Sequence, residues 1–377
     1  MTKKEIAELK KLYHKERSCI TRICGCYVGA EKEKITSFRE AFYALEEEAA
    51  FKYFEIFKKT LSGTLGKNLL NLEFPLDAEF ENGTQDFLLK LRDSELKEDV
   101  LLEAFYDKVI QSFYFTGNYL ILLIHAAYDV PGKTGDGLEL EDASEEVYSH
   151  LLCAVCPVNL SKPGLSYDPK SNLFCNCSRD WLVELPQIGF LFPAFNDRSS
   201  DIHSALYYTK NADEPHEEFV DSLLGAEPPV PVSSQREMFQ SLIEETLGER
   251  REYETIMSIQ ENVQEKLEES RDAPEPLTLG KKDVERIFAE SGVQEEQMRQ
   301  FAEAYERIIP DETPLVAANV VNERRFEVKT PNITVQVKPE FTHLLETKVI
   351  DGRNCLVIAI EDRVAVNGIP LYEDGEE

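Results

Sequence analysis

The sequence lacks an apolar run long enough for a membrane-spanning helix. Its longest run, residues 119–127, contains His125 and is far shorter than the about 20 residues that a helix needs to cross a bilayer. The N-terminal residues MTKKEIAELKKLYH also lack the apolar h-region and small-residue cleavage site of a signal peptide. We therefore expect no membrane partner and a cytoplasmic protein, in which the eight cysteines are reduced thiols.

Positive charge is scarce. The chain has 41 Lys and Arg against 71 Asp and Glu, which gives a net charge of −30. Such a charge repels nucleic acid and anionic lipid at long range, so only a locally basic surface could bind phosphate. Residues 1–22 are an exception, because they carry seven Lys or Arg and three Glu. The candidate nucleic-acid contacts are Lys3, Lys4, Lys10, Lys11, Lys15 and Arg22, with Arg324 and Arg325 near the C-terminus. The alternative is an ordinary amphipathic helix whose lysines form its solvated face.

Enzyme motifs are absent too: the sequence has no Gly-x-Ser-x-Gly, His-Glu-x-x-His or glycine-rich dinucleotide motif. The segment AYDVPGKT at 127–134 fits a relaxed phosphate-loop pattern, but the glycines and acidic residues after it do not favour the helix start that phosphate binding needs. We expect a hairpin turn there. The densest polar cluster, a candidate catalytic, metal or phosphate site, is Asp197, Arg198, Asp201 and His203. Capping of a loop by the same residues is the alternative, and the sequence leans towards a non-enzymatic protein.

Four cysteines have a spacing that resembles a zinc site. They are Cys153, Cys156, Cys175 and Cys177, and His150 lies close to them in the sequence. A structural zinc ion needs its four ligands to converge on one point. Residues 147–158, however, have the composition of a strand, in which residues three apart face opposite ways. We therefore predict buried cysteines without a metal and no cofactor, with zinc as the alternative.

Two apolar segments predict the centre of the fold. Residues 119–127 and 147–158 flank a polar loop with three glycines, which predicts an antiparallel hairpin with His125 opposite His150. Phe38, Phe42 and Leu45 recur at helical spacing, and residues 236–271 predict one long charged helix. The expected class is α+β: a mostly antiparallel sheet with flanking helices, a helical segment and a small C-terminal β domain. Because 377 residues exceed one ordinary core, we predict domains at 1–226, 227–312 and 313–377, with a linker near 273–276 and an acidic tail.

Five segments resemble a bacterial family described as a domain of unknown function. They are ITRICGCY, FEIFKKTLSGTLGKN, CPVNLSK, GFLFPAFNDR and FEVKTP, beginning at residues 20, 54, 156, 189 and 326. This resemblance spans nearly the whole chain and implies no established activity, and the family pattern does not include Cys175 and Cys177. A more distant resemblance, to the nucleoid-associated protein family, rests on the order of the elements and on FVDSLLG at 219–225. It implies association with the bacterial chromosome and identifies no functional residue.

Together these observations predict a cytoplasmic, non-enzymatic binding protein of a nucleoid-associated type. Its partner would be nucleic acid, held by a local basic surface, or another protein, in which case the chain is an acidic protein-binding module. The competing hypothesis is a metal- or phosphate-dependent enzyme that uses residues 197–203.

Overall fold

The structure, a computed structural model, describes residues 1–76, 78–133, 139–176, 179–248, 251–310, 313–321, 326–360, 364–366 and 369–370. Contacts divide the chain into two units. The first comprises Met1–Ser234 and Ala273–Pro276, and the second comprises Gln235–Asp272 and Leu277–Glu377. The predicted class, α+β with a mostly antiparallel sheet, is confirmed. The three-part division at residues 226 and 312 stays a prediction.

An antiparallel sheet of eight strands organises the first unit, in the order β2-β1-β4-β5-β9-β12-β3, with β8 also paired to β5. Two short pairs, β6–β7 and β10–β11, lie outside this sheet. The strands are β1 (Ile20–Val28), β2 (Lys34–Ala41), β3 (Leu69–Glu73), β4 (Asn118–Lys133), β5 (Glu139–Leu160), β6 (Leu165–Asp168), β7 (Leu173–Asn176), β8 (Trp181–Val183), β9 (Ile188–Phe192), β10 (Ala194–Asn196), β11 (Ser199–Asp201) and β12 (Ser204–Thr209).

The predicted hairpin is the central pair of this sheet, because β4 and β5 are antiparallel neighbours from Asn118–Val158 to Lys133–Glu139. Its register differs from the prediction by one residue. His150 pairs with Ala126, and His125 pairs with Leu151. Since successive residues of a strand face opposite ways, the two histidines lie on opposite faces of the sheet. The prediction that they face each other was wrong because it assumed a symmetric loop, whereas the strands shift register near Pro131.

Helices cover both faces of the sheet. Ile6, Leu9 and Phe57, from two helices of the N-terminal segment, pack on the face that includes Leu122 and Leu152. Leu88 and Phe105, from two other helices, pack on the opposite face. The helices of this unit are α1 (Lys3–Leu12), α2 (Glu47–Thr60), α3 (Thr84–Asp93), α4 (Asp99–Ser112) and α5 (Glu217–Phe219), with a 3-10 turn at Phe42–Ala44 and a π-helical turn at Val220–Leu224.

The apolar spacing of Phe38, Phe42 and Leu45 does not form the predicted helix. Phe38 belongs to strand β2, Phe42 begins the 3-10 turn, and α2 starts only at Glu47. Strand β2 is an edge strand whose residues are mostly exposed, so it has no apolar alternation by which a strand is normally identified. Periodicity alone therefore favoured the wrong element here.

The second unit is mainly helical and has its own core, which includes Phe239, Val284, Phe288 and Phe301. The predicted single helix at 236–271 is two helices, and the first ends at Leu247 before Gly248, whose φ is positive (60°). The elements are α6 (Val232–Leu247), α7 (Tyr253–Glu269), β13 (Thr278–Leu279), α8 (Lys281–Glu290), α9 (Glu295–Ile308), β14 (Leu315–Val316), α10 (Ala317–Val320), β15 (Phe326–Lys329), β16 (Thr334–Val337), a 3-10 segment (Pro339–Leu344), β17 (Leu345–Ile350), β18 (Arg353–Ile358), β19 (Ala365–Val366) and β20 (Ile369–Pro370).

Candidate functional site

The lysines of α1 lie on one side of that helix. Two turns separate Lys3 from Lys10 and Lys4 from Lys11, so each pair shares one side of the helix. Of the two acidic residues, Glu5 is buried with Leu9, and Glu8 lies one turn from both Lys4 and Lys11 at the flank of their side. Glu5 closes a capping box with Thr2, and Glu8 forms an ion pair with Arg198. Both carboxylates of α1 therefore have partners within the fold.

A buried contact fixes the end of α1 against the sheet. The Tyr13 hydroxyl lies 3.2 Å from Nε2 of His150 in a hydrogen bond, and both residues are fully buried. The His150 ring stacks on Tyr148 with the ring centroids 4.5 Å apart. Burial lowers the pKa of His150 to about 3, so the ring is neutral at physiological pH. The lysines of α1 are consequently presented by a rigid element.

Helix α2 brings two further lysines to the same region. Lys58 and Lys59 lie in its last turn, and the loop that follows contains Ser62. The Lys10 ammonium donates a hydrogen bond of 2.8 Å to the Ser62 hydroxyl, which itself donates to the carbonyl of Lys58. A cavity of about 310 Å³ opens beside this contact, lined by Lys3 and Lys10 from α1 and by Ser62, Gly63 and Thr64 from the loop.

The electrostatic state of Lys10 reflects this clustering. Partial burial, followed by the positive charges of Lys59 and Lys58, lowers the pKa of Lys10. An anion bound beside these ammonium groups would relieve their mutual repulsion, because an opposite charge within about 4–6 Å favours the charged form. We call this group of residues the basic surface: Lys3, Lys4, Lys10, Lys11, Lys58 and Lys59.

The other predicted nucleic-acid contacts do not belong to the basic surface. Lys15 forms an ion pair with Glu47 at 2.6 Å. Arg22 alternates with Ile23, whose side chain packs on the same face as α1, so Arg22 points to the opposite face of the sheet. Arg324 and Arg325 lie outside the described residues. Sequence reasoning missed Lys58 and Lys59, although a Lys-Lys pair shortly before Ser62-Gly63 was a visible signal.

The polar cluster at 197–203 does not converge on one point. Asp197 and Arg198 both have positive φ, 51° and 60°, and form the turn between β10 and β11. The Arg198 guanidinium donates to the Glu8 carboxylate at 3.0 Å and to the carbonyl of Pro131 at 3.1 Å. This side chain therefore joins the turn to α1 and to the central hairpin.

The remaining two residues of the cluster contact each other, since the His203 backbone amide donates to the Asp201 carboxylate at 3.0 Å, and each has further local partners. Asp201 accepts hydrogen bonds from the Asn196 amide and the Ser204 hydroxyl, at 2.6 and 2.8 Å. Although burial acts to raise it, these hydrogen bonds lower the pKa of Asp201. The exposed His203 pairs with Glu79 at 2.6 Å, and this hydrogen bond and the Glu79 charge raise the pKa of His203. Arg198, Asp201 and His203 thus have the capping and bridging contacts of a structural loop, and Asp197 lies in its turn.

The candidate zinc cysteines lie apart. Cys153 packs in the core on one face of the sheet, and Cys156 packs on the other face. Cys175 is exposed on β7, and Cys177 lies outside the described residues. Among the described residues, no group of three or more His, Cys, Asp and Glu could hold a metal ion. The opposite orientations of Cys153 and Cys156 agree with the strand alternation inferred from the sequence.

The phosphate-loop-like segment is flanked by strands. Strand β4 extends to Lys133 and pairs there with Glu139, the first residue of β5. Residues 134–138, which contain the Thr of the pattern and the acidic Asp136, lie outside the described residues. The described residues directly after the pattern form a strand, whereas a phosphate loop precedes a helix whose N-terminal amides hold the phosphates.

Helices of the described residues are all too short or too polar to span a membrane. Comparison with known proteins gives one family: the family model described as Domain of unknown function (DUF4317) matches residues 1–369. No curated protein and no solved structure matches the chain. None of these comparisons supports the distant resemblance to nucleoid-associated proteins.

Proposed function

The chain belongs to the DUF4317 family, and from its described surface we propose that it is a binding protein that holds nucleic acid against the basic surface. The contacts would be made to the phosphate backbone, without preference for a base sequence. The observation that carries the proposal is that Lys10 of α1 lies beside Lys58 and Lys59 at the end of α2, with Lys3 lining the same cavity, in a chain of net charge −30.

The chemistry of the basic surface suits phosphate. Lysine ammonium groups are compact positive charges that bind phosphate without demanding a fixed geometry. The cavity beside Lys10 adds the Ser62 hydroxyl at 2.8 Å from the ammonium, which could rotate towards a phosphate oxygen. The net charge of −30 repels a polyanion from the acidic parts of the surface, so it would favour approach towards the basic surface.

The proposal includes a cytoplasmic location. Its support is that the cysteines in the described part of the chain are free thiols, the usual state in a reducing compartment.

Salt dependence is the quantitative test. Each neutralised phosphate releases counterions, so six contacts give a slope of about −5 in a plot of log K against log salt for duplex DNA. Affinity should fall by about a thousandfold between 50 and 200 mM salt. We would measure this by fluorescence anisotropy with a labelled duplex and with a single strand of mixed sequence.

Two matched double variants decide where binding occurs. Lys4→Gln with Lys11→Gln removes two charges from the exposed side of α1 and should reduce the salt slope by about 2. The control, Lys90→Gln with Lys97→Gln, removes two charges near α3 on the other side of the sheet, where the lysines already pair with Asp86 and Glu95. Equal slopes for the two variants, or no retention of nucleic acid by the intact chain at low salt, would reject the proposal.

A further inference from the structure

Residues 160–185 carry a concentration of exposed apolar side chains. This segment includes the β6–β7 pair and strand β8, and it contains Trp181, the single tryptophan of the chain. Trp181 is 55% exposed and Phe174 is 74% exposed. An apolar patch of this kind on a soluble domain marks an interaction surface. The nine exposed side chains are Leu160, Leu165, Tyr167, Leu173, Phe174, Trp181, Leu182, Val183 and Leu185, and we call them the apolar patch.

Strand β8 has one open edge. Within the described residues it pairs with β5 alone. The Glu184 amide donates to the Pro157 carbonyl, and the Asp180 carbonyl accepts from the Ser161 amide, so residues 180, 182 and 184 turn their backbone groups towards β5. Because an antiparallel strand alternates these directions, the amides and carbonyls of Trp181 and Val183 point away from β5.

The neighbouring strand stops short of this edge. Strand β12 pairs with β9 and ends at Thr209, where Lys210 donates to the carbonyl of Gln187. It therefore does not continue alongside β8. An exposed apolar edge strand is a template for pairing with another chain, and natural proteins cover such edges.

The charge distribution of the chain indicates which partner covers the open edge of β8. The segment 160–185 contains three positive and three negative residues, so the entire net charge of −30 lies elsewhere in the chain. A charged partner protein would be drawn to the rest of the surface, whereas this segment offers an apolar and electrically neutral complement. The charges are Lys162, Lys170, Arg179, Asp168, Asp180 and Glu184.

We propose that the apolar patch is the interface of a homodimer, in which the β8 strands of two copies pair antiparallel about a two-fold axis at Leu182. In this arrangement Trp181 pairs with Val183 of the second copy, and the outward backbone groups of both residues are satisfied. Leu182 of one chain lies opposite Leu182 of the second chain across the axis. Such a contact uses the same edge on both copies, so it closes at two chains and ends further growth.

The available area fits a dimer. An aromatic side chain buries about 150–250 Å², and a standard interface buries about 800 Å² on each partner. Three aromatic and six aliphatic side chains supply an area of that order. The dimer does not depend on the proposed binding of nucleic acid, since the apolar patch shares no residue with the basic surface.

Mass and fluorescence of the full chain give the first test. Sedimentation and light scattering at about 50 μM, above the micromolar end of the affinity range for interfaces of this size, should give twice the chain mass of 43.1 kDa. On dilution, the emission of Trp181 should shift to the red and become more accessible to acrylamide. A monomer at every concentration, or a series of species larger than two chains, would overturn the proposal.

Charge exchange at the axis tests the register. Leu182→Lys and Leu182→Glu each place like charges opposite each other and should each give a monomer, because directly opposed like charges destabilise paired strands. Mixing the two variants should restore a dimer that contains one copy of each. The control variants are Phe80→Lys and Phe80→Glu, at a residue that is 67% exposed and lies outside the apolar patch. Each should form a dimer by itself, and a mixture of the two should also be dimeric.

A backbone variant separates strand pairing from simple apolar contact. Val183→Pro removes an amide that points away from β5, so it should abolish the dimer while circular dichroism stays that of the folded chain. If the Leu182 variants stay monomeric when mixed, or if Val183→Pro remains a dimer, then paired β8 strands do not form the interface.

Discussion

The buried His150 makes the stability of the folded chain depend on pH, and the size of this effect can be calculated. Its ring is fully buried, and its partners are the Tyr13 hydroxyl at Nε2 and the Tyr148 carbonyl, 3.5 Å from Nδ1. Burial lowers the pKa of His150 to about 3, against about 6.5 for an exposed histidine. At pH values between these two pKa values, His150 therefore binds a proton in the unfolded chain and does not bind one in the folded chain.

The direction of the pH dependence of stability follows from this difference in pKa. A lowered pKa in the folded state contributes stability that is fully present above pH 6.5 and is lost as the pH falls towards 3. Within this window the free energy of unfolding decreases by about 1.4 kcal/mol per pH unit. Between pH 7.5 and pH 4.5, His150 alone accounts for about 2–3 kcal/mol.

Urea unfolding of the wild type and of His150→Gln, at pH 7.5 and at pH 4.5, isolates this contribution. Trp181 fluorescence reports the unit that contains His150. The glutamine variant starts from a lower stability at pH 7.5 but should lose about 2–3 kcal/mol less than the wild type on acidification. His14→Gln, at an exposed position, is the control and should follow the wild type. Parallel losses in the wild type and in His150→Gln would refute the reasoning.

Three further predictions concern packing and thiols. Glu8→Ala should lower the free energy of unfolding by about 2 kcal/mol, a value between those for exposed and buried ion pairs. The reason is that Arg198, which is only 17% exposed, loses its carboxylate partner. An effect below about 0.5 kcal/mol would contradict this prediction. Gly189→Ala should cost about 1–3 kcal/mol, since the new Cβ would lie 2.3 Å from the Cys153 carbonyl, whereas Gly164→Ala, with no atom within 4 Å, serves as a neutral control in the same urea titration. Elemental analysis should find no stoichiometric zinc, and a thiol reagent should modify Cys175 before the buried Cys153; a zinc ion lost in Cys175→Ser would show that the cysteines do converge.

The centre of the fold could be predicted from the sequence because its signals are local. Residues 119–127 are apolar except for His125, and the glycine-rich loop before 147–158 sets the two strands antiparallel. The register that places His125 opposite Leu151 could not be predicted, since the two register shifts beside Pro131 leave no trace in composition. The exposed strand β2 also gave no signal, because its residues do not alternate between core and solvent.

The candidate site was predictable only in part. The lysines of α1 follow from helical spacing, but Lys58 and Lys59 join them through packing between segments almost fifty residues apart in the sequence. The cluster at 197–203 illustrates the reverse error. Asn-Asp-Arg-Ser is turn chemistry, and the left-handed conformations of Asp197 and Arg198 belong to a tight hairpin. Proximity in sequence suggested a site where the chain only reverses direction.

The path of the N-terminal segment across the sheet has a consequence for synthesis on the ribosome. Strand β1 joins β4, α2 then crosses β5 and β9, and β3 reaches β12 at the far edge. The ribosome must therefore add more than a hundred residues after β3 before its partner exists. At about 5–20 residues per second this takes on the order of ten seconds. During that interval Leu69, which is buried in the finished fold, lacks the Tyr208 of β12 opposite which it pairs, so β3 leaves the ribosome as an unpaired strand.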